Sequence, residues 1–194
     1  ACADLLRELT VLSRARHRNV IRLKAHGQRP SLVDPGRLGS VPFGCLELVE
    51  PLAKQLPPED PGNVMPWVRA QGVKRWPVQR GLDVALQIAR ALRYCHDELR
   101  VIHRDLKPAN IVINEIGTLK LADFGLAKTV SPNAMCATYC GTPLYMSPEL
   151  CNGEEYSFSS DVWALGCVLY ELMALQSPWA SSAMSYPALV KHIR

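Results

Sequence analysis

Apolar and polar positions recur along this chain with several different periods, and each period predicts a different element. Between residues 4 and 16, Leu5, Leu9 and Leu12 fall at helical spacing, which predicts an amphipathic helix. Glu8 lies on the same stripe, so a carboxylate is aimed at the interior, whereas a lone glutamate ordinarily curls out to solvent. Ile21–Ala25 and Cys45–Val49 read as short strands, and the stretch between them, with Pro30, Pro35, Gly36, Gly39 and Pro42, reads as a loop. From Pro51 to Pro77 repeated prolines interrupt any regular pattern and predict a linker with an insertion, which Trp67 and Trp76 could anchor. From Leu82 onward, Ala85, Leu86, Ala89 and Leu92 define a helix with a buried face that ends near His96. Ile111–Ile113 and Thr118–Ala122 flank Asn114, Glu115, Ile116 and Gly117, a hairpin of the longer-loop type. A last helix begins near Asp161, where Ser159 or Ser160 can cap it, and its nearly all-round apolar sequence through Leu175 predicts burial. No internal repeat is visible.

Composition narrows the class. With 194 residues and 48% hydrophobic content, the chain can bury a core as one large domain or two small lobes. The net charge of +4 with 21% charged residues, and no long like-charge block, gives little support for nucleic-acid binding. No apolar stretch is long enough to span a bilayer, and Asp4, Arg7 and Glu8 stand where a signal peptide would be apolar. Seven cysteines without disulfide-framework or CxxC spacing suit reduced thiols, which predicts an intracellular setting, cytoplasmic or nuclear.

The chemistry concentrates on either side of the hairpin. Before it stands His103-Arg104-Asp105-Leu106-Lys107-Pro108-Ala109-Asn110, and after it Asp123-Phe124-Gly125. A hairpin brings its two ends together, so Asp105, Asn110 and Asp123 can converge on one point. Mg²⁺ takes one or two carboxylates plus phosphate oxygens and water, so Asn110 and Asp123 suffice only with a bound nucleotide. Taken singly, each of these residues is an ordinary loop or core side chain; their order around a hairpin carries the specificity.

The two loops resemble the catalytic loop and metal loop of the eukaryotic protein kinase family. The resemblance implies that Asp105 orients a substrate hydroxyl and accepts its proton, that Lys107 neutralises charge on the transferred phosphoryl group, and that Asn110 and Asp123 hold Mg²⁺. Gly141-Thr142-Pro143-Leu144-Tyr145-Met146-Ser147-Pro148-Glu149 resembles the peptide-positioning end of an activation segment, with Ser147 where alanine is commoner. Asp161-Val162-Trp163-Ala164-Leu165-Gly166 resembles the start of the central helix that anchors the family's catalytic loop. By position, Glu8 resembles the helix glutamate that pairs with the ATP-binding lysine, which gives the inward carboxylate a reason. Leu46, Glu47, Leu48 and Val49 then cover the gatekeeper and hinge, whose backbone would hold adenine, with Val112 beneath the ring. His103, Phe124, Gly125 and Thr142 fall at structural positions of the same motifs. Lys107-Pro108 is the serine/threonine version of the loop, so the resemblance implies ATP and Mg²⁺ as cofactors and a protein substrate with a Ser or Thr acceptor. Arg104 is a cation suited to grip a phosphate on the activation segment, with Thr138 the leading acceptor against the plainer reading of a polar loop residue. Within the family, the segments from Cys140 to Glu149 and from Trp163 to Leu172 look most like NIMA-related kinases, while the Pro-rich insertion and the loop before Cys45 depart from a compact kinase.

The expected fold class is α+β: a partial N-terminal lobe over 1–50, a Pro-rich segment after the hinge over 51–79, and a mainly helical partial C-terminal lobe over 80–194. A kinase begins with a glycine-rich loop and a strand lysine that pairs with the helix glutamate; neither precedes Ala1, and Lys24 and Lys54 lie after the helix. Glu149 likewise lacks the arginine that a later helical segment supplies in the family. The expectation is an excerpt, or a truncated gene model, of a complete kinase; should the 194 residues be the natural product, weak or absent activity is expected. The competing functions are a pseudokinase-like scaffold or binding module, and a small-molecule phosphotransferase, which would not need the segment from Gly141 to Glu149.

Overall fold

The computed structural model describes residues 2–30, 40–46, 69, 72, 77–114, 116–129, 143–179 and 185–194. Helix α1 (Cys2–Arg14) is followed by an antiparallel pair, β1 (Leu23–Pro30) and β2 (Ser40–Leu46), paired from Leu23 opposite Leu46 to Pro30 opposite Ser40. The expected loop is therefore shorter than its prolines suggested, because Pro30 and Pro42 lie within the strands. A two-stranded ribbon consists of two edges, where a residue without an N–H is tolerated. Ile21 is not in β1; its N–H donates to Leu121 O at 2.9 Å, and Val20 bridges Leu121 in parallel.

Helix α2 (Val78–Asp97) starts inside the segment expected to be linker, most of which lies outside the described residues. Its buried stripe is Gly81, Val84, Ile88, Ala91, Leu92 and Cys95, while Leu82 and Leu86 are exposed and Ala89 points outward. This corrects the face read from the sequence: both sets keep helical spacing, and packing against the hairpin and the central helix selects the other one. The remaining elements are β3 (Val101–Ile102), β4 (Ile111–Ile113), β5 (Leu119–Leu121), β6 (Lys128–Thr129), α3 (Pro148–Cys151), α4 (Phe158–Ala174) and α5 (Tyr186–Ile193). β4 and β5 form the expected hairpin, registered Ile111 to Leu121 and Ile113 to Leu119, with Gly117 in the left-handed region at φ 78°.

One core unites these parts. Leu12 of α1, Ile88 and Leu92 of α2, Ile111, Ile113, Leu119 and Leu121 of the hairpin, and Val168 and Leu172 of α4 form a single buried cluster. Buried Asn19 ties the entry to β1 into it. Its Nδ2 donates to Leu119 O at 2.8 Å and to Gln87 Oε1 at 3.0 Å, and that same Oε1 accepts Leu119 N–H at 2.9 Å. A second cluster joins Ile102, Met146, Leu150, Tyr156, Leu189 and Ile193.

Helix α4 starts earlier than expected, and its cap is Ser157, not Ser159 or Ser160. The Ser157 N–H donates to Ser160 Oγ at 3.2 Å, which satisfies one group of the helix start. Its burial is incomplete. Ala164, Val168 and Leu172 face the core, but Val162 and Tyr170 are exposed beside an apolar hollow of about 720 Å³ lined in part by Trp163, Cys167 and Trp179. Phe158 and Trp163 pack against the second cluster, so the stripe through Val162, Gly166 and Tyr170 is what stays exposed on a helix whose sequence is apolar nearly all round.

Candidate active site

The loop between β3 and β4 is anchored from below by Asp161, which is fully buried on the first turn of α4. Asp161 Oδ2 accepts His96 Nε2 at 2.8 Å and the His103 N–H at 2.9 Å, and Oδ1 accepts the Arg104 N–H at 3.0 Å. These bonds hold Arg104 at φ 72°, a left-handed conformation that costs a non-glycine residue free energy unless its surroundings fix it. His103 is buried and works from the other side. Its Nδ1 accepts the Asp105 N–H at 3.3 Å, which assigns the ring proton to Nε2, donating to Ala122 O at 3.0 Å. The His103 ring also meets Phe124 edge-on, with centroids 4.9 Å apart. The loop before the hairpin is thus stitched to the loop after it.

Upon this base Asp105, Lys107 and Asn110 meet. Lys107 Nζ donates to Asp105 Oδ2 at 2.6 Å, forming an ion pair. Asn110 Nδ2 gives both hydrogens to Asp105, one to its backbone O at 2.8 Å and one to Oδ2 at 3.0 Å. The Ala122 N–H then donates to Asn110 O at 2.9 Å, which sets Asp123 directly beside Asn110. Asp123 is exposed at φ 59°, and its Oδ1 accepts the Gly125 N–H at 3.2 Å. Because both Nδ2 hydrogens go to Asp105, Oδ1 is the Asn110 atom left for a cation among the described residues. With the Asp123 carboxylate it offers two hard oxygen donors, too few to enclose a cation and well suited to Mg²⁺ that keeps phosphate and water ligands. The donor set fits Mg²⁺ carried by a nucleotide.

Helix α1 reaches this loop with two successive side chains. The Arg7 guanidinium donates to Gly125 O, and Glu8 Oε1 accepts the Phe124 N–H at 3.4 Å. Glu8 therefore points inward, as its stripe position predicted. Burial pushes its carboxyl above the usual range and the Asp123 charge adds to this, against the opposing pull of the Phe124 N–H. Glu149 shows the opposite balance. Burial alone would raise it, but the Ser160 hydroxyl, donating at 2.6 Å, and further hydrogen bonds bring it below the ordinary carboxylate range.

Of the other residues singled out from the sequence, Leu46 ends β2 and Val112 stands half-buried in the middle of β4. Glu47, Val49, Thr138 and Thr142 lie outside the described residues, as do Trp67 and Trp76. Four structural partners went unread in the sequence. His96 braces Asp161, Tyr156 lies under the Arg104 guanidinium at 5.6 Å, Ser160 holds Glu149, and the Tyr145 hydroxyl donates to Glu171 Oε2 at 2.6 Å. Only His96 had a signal: it follows Leu92 and Cys95 on the buried stripe of α2.

A catalytic loop anchored on a buried helix aspartate, with a metal loop tied beside it by a hairpin, is the arrangement of a protein kinase domain. The family model for the protein kinase domain matches residues 55–192, most of the chain, and the chain belongs to that family. Among its relatives it is similar to NIMA-related kinases. It is 34% identical to the mouse serine/threonine-protein kinase Nek1 over 92% of its own length, and 44% identical to the serine/threonine-protein kinase nekl-2 of Caenorhabditis elegans over 61%. It is also 45% identical to the G2-specific protein kinase nim-1 of Neurospora crassa over 50%. The chain spans 13%, 32% and 11% of the lengths of these three relatives, in that order.

Proposed function

We propose that this chain carries the catalytic machinery of a serine/threonine protein kinase, which moves the γ-phosphoryl group of ATP to a protein hydroxyl with Mg²⁺. The observation that carries this reading is the double tether of Asn110, through Nδ2 to Asp105 and through its backbone O to Ala122. It gathers a base, a cation and two metal-type oxygens at one place. Bound Mg²⁺ and ATP would supply the transferred group and neutralise its charge. Asn110 Oδ1 and the Asp123 carboxylate would hold the metal, and the backbone after Leu46, with Val112, would hold adenine. Asp105 positions the acceptor hydroxyl and takes its proton, and Lys107, 2.6 Å from Asp105 Oδ2, keeps a positive charge beside the reacting oxygens. Lys107-Pro108 and the names of the relatives support a Ser or Thr acceptor. Arg104 would grip phosphorylated Thr138, which phosphopeptide mass spectrometry of active protein would detect.

An intracellular setting, cytoplasmic or nuclear, belongs to the same reading and is supported by Cys95, Cys151 and Cys167, all free and buried. No helix among the described residues is long and apolar enough to cross a membrane. The test is transfer of radiolabelled γ-phosphate to a Ser/Thr peptide mixture, using the protein with any sequence its transcript encodes on either side. Asp105→Asn should lower transfer by about 10²–10⁴-fold, and Asp123→Ala should abolish it. Transfer that survives both changes would sink the reading.

A scaffold reading has one observation in its favour: among the described residues no Lys or Arg ion-pairs with Glu8, which accepts a backbone N–H instead. Mg²⁺-independent binding of partners, with no transfer under any condition, would favour it.

A further inference from the structure

Positive charge gathers just beyond the C-terminal end of α1, where the chain leads into β1. Arg16, His17, Arg18, Arg22 and Lys120 line one hollow of about 400 Å³, floored by Ala15, Val20 and Ile21. Arg90 and Arg93 of α2 act on the same place, since their charges, with those of Arg18 and Lys120, bear on His17. Six of the chain's 22 lysines and arginines thus converge here although the whole chain carries only +4, so this is a local concentration and not a general basicity. Arg16, Arg18, Arg90 and Arg93 ion-pair with no carboxylate among the described residues, and Arg16 is held by the backbone oxygens of Ser13 and Ala15, which orient a guanidinium and leave its charge intact. Burial first, then the surrounding cations, hold His17 below the usual histidine range.

From this hollow we infer that the protein docks an acidic peptide segment of a partner, bearing glutamates or phosphoserines, at a place apart from its catalytic loops. Guanidinium groups pair with carboxylate and phosphate oxygens in two-pronged, charge-assisted hydrogen bonds. His17 Nδ1 accepts the Asn19 N–H at 3.1 Å, so its Nε2 is left to donate. The hollow has room for a side chain or two of such a segment, and the apolar floor offers packing for their non-acidic atoms. A flat lipid surface would not reach that floor. Single-stranded nucleic acid would call for open aromatic faces, whereas a face of His17 is already stacked on Tyr94 at 5.0 Å. None of the lining residues belongs to the cluster of Asp105, Asn110 and Asp123, so docking and phosphoryl transfer are separable.

The experiment is fluorescence anisotropy with a labelled peptide of alternating glutamate and phosphoserine, run on the wild-type chain and on the R16E/R18E double variant. Binding should weaken by about tenfold or more on charge reversal and should fall steeply with added salt. An R90Q/R93Q variant, milder at exposed positions of α2, should weaken it less and serves where the first variant melts early. Equal affinity in both folded variants would overturn the inference, and so would tighter binding of phosphatidylserine vesicles or of poly-uridine than of the peptide. Because the readout is binding alone, it stands whether or not transfer activity is found.

Discussion

Replacing Asp161 with asparagine alters one atom in a side chain with no solvent exposure, and the hydrogen bonds around it fix what that atom is worth. Oδ2 serves two donors, His96 Nε2 and the His103 N–H, and Oδ1 serves the Arg104 N–H. Asparagine keeps a single acceptor oxygen. In its better orientation that oxygen stays with His96 and His103, and the new NH₂ faces the Arg104 N–H, leaving one buried backbone donor unpaired. An orphaned buried donor costs about 1–3 kcal/mol, so Asp161→Asn should destabilise the chain by that amount. Asp161→Ala strands all three donors and should cost roughly 3–6 kcal/mol after partial relaxation, comparable to the roughly 5–15 kcal/mol that keeps a domain folded. Urea unfolding followed by tryptophan fluorescence measures both, and amide exchange at Arg104 should quicken in the asparagine variant. The acceptor count would be refuted as the cause if Asn proved as damaging as Ala, or if neither moved the urea midpoint.

Other substitutions read out other bonds. Glu8 has a raised carboxyl pKa in the folded chain, so stability should decline as pH rises through that raised value; Glu8→Gln should flatten this decline and raise the melting temperature near neutral pH in the 194-residue chain. Glu149 is lowered, so its contribution is present above the unfolded carboxylate pKa and is lost as pH falls through the folded one. Ser160→Ala should shrink that acid-side loss and cost about 1–2 kcal/mol at neutral pH, checked by thermal melts across an acid series. Burial, with the Asp161 charge, pushes the Cys95 thiol up to about 12, so mass spectrometry should find it unlabelled by iodoacetamide at pH 8 in folded protein and labelled in urea.

What could be read from the chain alone was what is local in it. The hairpin announces itself in a few residues, and it explains why Asn110 and Asp123 are brought to the same end of it. The α2 face was misread because Leu82 and Leu86 are as apolar as Val84 and Ile88, and only the partner that packs against the helix distinguishes the two stripes. Glu8 was readable as inward from its stripe, but its purpose came only through a family resemblance. The Tyr145–Glu171 and Asp161–His96 bonds join residues 26 and 65 positions apart, and no periodicity encodes such pairings. The Ser157 cap was missed for a smaller reason: three serines at 157, 159 and 160, separated only by Phe158, offer equivalent hydroxyls until backbone angles choose among them.

The same bonds explain how strain is tolerated at the metal loop. Asp123 stands at φ 59°, a conformation that costs a non-glycine residue roughly 1–3 kcal/mol and persists only where its neighbours are over-determined. Both neighbours are. Ala122 is held by its N–H to Asn110 O and by its O to His103 Nε2, and Phe124 is fully buried with its N–H on Glu8. Arg7 closes the sequence of contacts at Gly125. Successive residues of α1 therefore satisfy successive backbone groups of the metal loop, while His103 satisfies the residue just before it. The position of the Asp123 carboxylate is set jointly by α1 and by the catalytic loop, so displacing either element must release the strained residue that holds the proposed metal.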